Sequence, residues 1–163
     1  MPDSKGFTLI ELVTVIIIAA ILSAVAGMGL VQIANGYVFA RKNAAAAQQT
    51  QVALARLVKE LSEIRSVSSA AATALTYQRA NDATGLPETH RLSWAGADLP
   101  ILLDGDELVG KVRSFSLTYY NYNYGTRAFT ASPYSASTMV IEMMVQLTGY
   151  NETPLVFIEK VVI

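Results

Sequence analysis

The stretch FTLIELVTVIIIAAILSAVAGMGLVQ, residues 7–32, decides the architecture of the chain. It runs for 26 residues with one charge, Glu11, and is built mainly from Ile, Val, Leu and Ala. About 20 consecutive apolar residues suffice for a helix to cross a bilayer, so this segment is predicted to span a membrane. Tyr37, Phe39, Arg41 and Lys42 follow it, the aromatic and cationic side chains that suit a membrane–water interface. Six residues precede it, Met1 to Gly6, in which Lys5 and the amino terminus outweigh Asp3 and give a weak positive-inside bias.

Glu11 is the physical anomaly. A carboxylate in a membrane helix costs roughly 2.5–3.5 kcal/mol at the bilayer centre and less near the interface. Either Glu11 reaches water at the interface, or it has a functional partner. Its neighbours bear on the choice. The heptapeptide Gly6-Phe7-Thr8-Leu9-Ile10-Glu11-Leu12, preceded by Lys5 and followed by the long apolar run, resembles the prepilin processing motif of the type IV pilin and type II secretion pseudopilin superfamily. The resemblance is strong over about the first 30 residues, and beyond them it holds only in general layout. It implies cleavage after Gly6 by an inner-membrane prepilin peptidase, which then N-methylates Phe7. It also implies that Glu11, the fifth residue of the mature chain, pairs with the terminal ammonium of a neighbouring subunit. The chemistry is readable: a small residue before the scissile bond admits a protease to the backbone, and a carboxylate in a low-dielectric bundle is tolerated only when its cation is present.

A different reading takes Leu12–Leu22 as the apolar core of a secretory signal, with Ala24-Val25-Ala26 as its small-residue cleavage site. Against it, Glu11 interrupts the apolar run, the leader carries little positive charge, and the helical pattern continues past Ala26.

No proline occurs between Pro2 and Pro87, and a nearly continuous helix is expected from about Thr8 to about Ser66. Leu54, Leu57, Val58, Leu61, Ile64 and Val67 follow helical spacing and form an apolar stripe that needs a partner. Gly27, Gly29 and Gly36 fall inside the helix, each costing about 1 kcal/mol relative to Ala; they suit either close helix packing or local kinking. Related pilins often carry a helix-breaking proline in this region, and this chain does not.

Residues 67–163 read as a β-rich head. Ser66–Ala74 is Ser/Ala-rich and is expected to end the helix, and residues 81–87 form a loop. Strands are predicted at Arg91–Trp94, Ile101–Leu103, Glu107–Val109, Val112–Tyr120, Thr138–Thr148 and Leu155–Ile163, with Asp104-Gly105 as a hairpin turn. The whole is an α+β fold, four or so antiparallel strands packed on the second half of one long helix. Pilin-like subunits share this lollipop layout. The organisation is then a leader at 1–6, a membrane and assembly helix at 7–32, its amphipathic continuation at 33–66 and an exported head at 67–163.

Little in the head suggests catalysis. The chain has no cysteine and one histidine, His90, with no nucleophile or ligand cluster beside it. His90 is expected on a surface or loop. No phosphate-cradling glycine loop is present, and no enzyme activity and no cofactor are expected. Asp104, Asp106 and Glu107 crowd three carboxylates into four residues, which suits either Ca²⁺ or a solvated turn; the spacing is not that of an EF-hand, and no metal site is assigned. Tyr119, Tyr120, Tyr122 and Tyr124, interleaved with Asn121 and Asn123, form the least ordinary patch: strand packing, a subunit contact or a ligand surface. Residues 67–163 carry six Lys/Arg and nine Asp/Glu, so nucleic acid is not an expected partner.

The expected protein is a structural subunit of a type IV pilus-like filament, with a minor pseudopilin of a secretion system as the near alternative. A membrane-tethered periplasmic binding module is the alternative of another class. The resemblance implies the prepilin peptidase/methyltransferase, other pilin-like subunits and the inner membrane as partners. It places the head of the precursor in the periplasm of a bacterium, before assembly into a pilus or pseudopilus.

Overall fold

The computed structural model describes Gly6 and residues 8–163. One α-helix, α1 (Leu9–Ser62), is followed by eight strands among the described residues: β1 (Ser66–Ala70), β2 (Ala74–Ala80), β3 (Pro87–Trp94), β4 (Leu99–Leu103), β5 (Asp106–Asn123), β6 (Ala128–Ala131), β7 (Thr138–Thr148) and β8 (Pro154–Val162). The fold is α+β and pilin-like. The chain forms two compact units, Met1–Arg41 and Lys42–Ile163.

The first unit is helix from Leu9 onward, and fifteen large apolar side chains between Leu9 and Ile33 are exposed. At about 1.5–3 kcal/mol for each such side chain removed from water, the segment stands to gain tens of kcal/mol from lipid or from other helices. It is long and apolar enough to cross a membrane. Its hydroxyls are satisfied within the helix: Thr14 donates to the Ile10 carbonyl at 2.8 Å and Ser23 to that of Ala19 at 2.7 Å.

The second unit packs the end of α1 on an antiparallel sheet in the order β1-β2-β3-β4-β5-β7-β8, with β6 paired to β5. Thr50, Ala53, Leu54, Leu57 and Leu61 are the buried helix positions, and they meet Leu75, Tyr77, Leu92, Ile101, Phe115, Leu117, Ile141, Met143 and Val145 from the sheet. The stripe predicted from spacing is therefore the helix half of the core.

The helix stops at Ser62, earlier than expected. The Glu63 and Ile64 amides bond back to Glu60 and Leu61 at 3.4 Å, a tightened last turn, and the Arg65 amide donates across to Gln78 at 2.8 Å. That last bond draws Ser66–Ala70 into β1, so Val67 belongs to a strand and not to the helical stripe. Ile64 still packs against the core from beyond the helix end.

The Asp104-Gly105 turn is as expected, with φ of 57° and 95°, the two positive values a type I′ hairpin requires. The two strands expected at Glu107–Val109 and Val112–Tyr120 are one strand, β5, continued through an irregularity where Lys111 takes φ 51° and the register shifts on both neighbours. The six expected segments thus become five strands, and β1, β2 and β6, which were not expected, bring the total among the described residues to eight. Strand β2 carried a signal, since Leu75 and Tyr77 alternate with Thr76 and Gln78 and both go to the core. Strand β1 is nearly all Ser and Ala, and β6 is exposed throughout, so neither shows apolar alternation.

Candidate assembly segment and head sites

Thr8 stands just before the first helical residue, and its hydroxyl accepts the Glu11 N–H at 3.3 Å while its carbonyl accepts that of Leu12 at 3.2 Å. Thr8-Leu9-Ile10-Glu11 thus has the residues of a capping box, with the cap half formed. Glu11 lies in the first turn, where the exposed N–H groups favour negative charge. This supplies a local reason for a carboxylate here, separate from the intersubunit role that the resemblance implies. Glu11 is the lone charged side chain between Gly6 and Ala40. Gly6, the residue before the expected cut, is exposed. Phe7, the expected methylation position, lies outside the described residues.

In the head, the sequence reading of His90 is corrected. Strand β3 begins at Pro87, so His90 shares the inward face with Leu92 and is only 9 % exposed. Its Nδ1 lies 2.7 Å from Asp104 Oδ2. A carboxylate can only accept, so the ring proton sits on Nδ1. Asp104 Oδ1 accepts the Arg91 N–H at 2.7 Å. Burial alone would raise the pKa of Asp104, but the His90 and Arg91 hydrogen bonds outweigh it and hold the carboxyl below its usual range. The Tyr77 ring lies 5.7 Å from that of His90, and burial, then Glu60 and Asp104, push its hydroxyl well above the usual phenol range. Beside them Arg79 joins strand β2 to the end of the helix through Glu60 at 2.8 Å and Glu63 at 3.2 Å, and reaches Asp82 at 3.1 Å. Sequence reasoning missed this group. The signal was the two-residue spacing of His90 and Leu92, visible only once β3 is started before Arg91.

The carboxylates offered as a calcium candidate do not converge. Asp104 is engaged by His90 and Arg91, and among the described residues no three His, Asp or Glu side chains form a metal-ligating group.

The four tyrosines divide. Tyr119 is 5 % exposed, its hydroxyl donates to the Ala71 carbonyl at 2.8 Å, and burial, then Tyr134, push it up to about 12. Tyr120 is half-buried; its hydroxyl donates to Glu142 at 3.4 Å, and Lys160 Nζ lies 5.2 Å from its ring centre. Tyr122 and Tyr124 come together near the β5–β6 turn, ring centres 4.9 Å apart.

The turn from β7 to β8 is pinned to the helix. The Tyr150 amide donates to Asn43 Oδ1 at 2.7 Å, and Lys42 Nζ stands 4.2 Å from the Tyr150 ring centre. Asn151 and Glu152 both take positive φ to close this turn.

Residues 1–27 match the family model described as the prokaryotic N-terminal methylation motif. The chain carries that motif directly ahead of, and overlapping, its exposed apolar helix. Together they support a type IV pilin- or pseudopilin-like protein. No curated protein and no solved structure matches the chain.

Proposed function

We propose that the chain is a structural subunit of a type IV pilus-like filament or of the related secretion pseudopilus. The observation that carries this is the methylation motif at residues 1–27 joined to a helix whose apolar residues, Leu9 to Ile33, are exposed. A segment that gains nothing from its own fold is suited first to lipid and then to a bundle of like helices. In this reading a prepilin peptidase removes residues 1–6 and methylates Phe7. The precursor sits in the inner membrane with its head in the periplasm. Glu11 then pairs with the terminal ammonium of a neighbour, because a carboxylate in the bundle is favourable only beside its cation. The protein builds and does not catalyse.

Intact mass and terminal sequencing of the protein from cells holding a prepilin peptidase test the reading. The expected terminus is Phe7 with one added methyl group. A terminus at Gly27 indicates a secretory signal and overturns it, and so does an uncut chain.

A further inference from the structure

Strands β7 and β8 depart from the pattern of a sheet with one wet face. In such a sheet the inward side chains are apolar and the outward ones polar. Strand β5 conforms: Phe115 and Leu117 are buried, and Ser114, Ser116 and Thr118 alternate with them on the outward face. On β7 and β8, Ile141, Met143, Val145 and Val161 enter the core. Yet Met144, Val156, Ile158 and Val162 point the other way and are 36, 56, 53 and 72 % exposed for Met144, Ile158, Val156 and Val162 respectively. Strand β8 is the last in the sheet, and its run Leu155-Val156-Phe157-Ile158 is apolar on both faces, as in a strand covered on both sides. An apolar patch of this kind marks an interaction surface.

The strand register narrows the occupant. The outward residues are cross-strand partners: Val140 with Val162, Glu142 with Lys160, Met144 with Ile158 and Gln146 with Val156. Lys160 Nζ lies 2.9 Å from Glu142 Oε2, so the face has an ion pair with apolar side chains on either side of it along the strands. Such a face complements itself. A two-fold axis running along the strands between β7 and β8 sets each residue against the partner copy of its own cross-strand neighbour. Glu142 then meets Lys160, Met144 meets Ile158 and Val140 meets Val162, with Gln146 on Val156 the one mixed contact. Two aligned sheets pack face to face in this way at about 10 Å. Other occupants fit less well. A strand added to the open edge of β8 would pair its backbone and leave Val156 and Ile158 wet. A lipid surface would set the Glu142–Lys160 pair against hydrocarbon.

We propose that the outward face of β7 and β8 is the contact of a symmetric dimer with a second copy of this chain, in which Glu142 and Lys160 pair across the interface and Met144 packs on the partner's Ile158. This goes beyond the assembly role and does not rest on it, since an isologous contact closes at two chains, whereas a filament grows through contacts that do not close.

The chain has no cysteine, so introduced ones report the register. Full-length Met144→Cys and Ile158→Cys chains, carrying different tags, are mixed in detergent micelles and oxidised. The mixed disulfide is expected to form well above the level reached by Val52→Cys chains, whose cysteine is exposed on α1 away from this face. Adding Glu142→Lys to both chains, or Lys160→Glu to both, is expected to cut the yield by roughly tenfold or more, because like charges then face each other. Mixing a Glu142→Lys chain with a Lys160→Glu chain is expected to restore it, which also shows that each variant is folded. A mixed disulfide no more abundant than that of Val52→Cys would overturn the proposal. So would a yield that the charge reversals leave unchanged, the sign of chains held together by their apolar helices alone.

Discussion

Single side chains in the head carry more than their local chemistry suggests. Asp104 sits at the tip of the β4–β5 hairpin, yet it fixes the tautomer of a buried histidine and caps the Arg91 amide. Because its carboxyl is held below the usual range in the folded state, its contribution is present above the unfolded-state pKa, about 3.9, and is lost as pH falls through the lower folded value. Asp104→Asn is therefore expected to cost on the order of 1 kcal/mol at neutral pH. The gap between variant and wild type should narrow in urea titrations taken from pH 7 towards pH 3. A gap that stays constant across that range would remove Asp104 from the acid response. His90 itself was legible only in part. A lone histidine without a ligand cluster reads as surface, and its burial follows from where β3 begins, which pairing with β2 and β4 decides.

At the level of elements, the end of α1 and the sheet depend on each other. Leu57 is fully buried at the centre of the helix face. Leu57→Ala is expected to destabilise the head by about 2–5 kcal/mol, read from chemical denaturation. A loss well under 1 kcal/mol would mean that the site collapses around the cavity. The β7–β8 turn offers a second test. A Cβ on Gly149 would lie 2.6 Å from Asn43 Oδ1 and 2.9 Å from the Thr153 carbonyl. Gly149→Ala must push the Asn43 side chain away from the Tyr150 amide, and a loss of about 1–3 kcal/mol is expected. If the Asn43 clasp is the cause, Asn43→Ala alone costs about 1 kcal/mol and Gly149→Ala adds less than its own value on top of it. Alternation at Thr138–Thr148 identified β7 with its bounds, because one face of that strand is core from Ile141 to Leu147. Strand β6 is exposed and β1 reaches the core only through half-buried Val67 and Ala70, so their backbone pairing leaves little trace in side-chain pattern.

At the scale of the whole molecule, the proposed assembly turns on Glu11. Under that reading Glu11→Ala is still processed and still enters the membrane, but it no longer co-assembles with wild-type subunits. Co-purification of tagged variant with wild-type filaments measures this. Normal co-assembly would leave Glu11 only its place in the Thr8 cap. What the sequence determined alone is the part governed by local composition: an apolar run long enough for a bilayer, an N-terminal methylation motif, a helix free of proline, and the stripe from Leu54 to Ile64 that had to meet a sheet. These are legible because hydrophobic periodicity and motif spacing are properties of neighbouring residues. Tertiary structure decided what depends on residues far apart in sequence. It ended the helix at Ser62 through a bond from Arg65 to Gln78, and it drew His90 inward against Asp104. It also separated Tyr119 from Tyr122 and Tyr124, because successive side chains of a strand face opposite ways and only packing against the helix says which way is in.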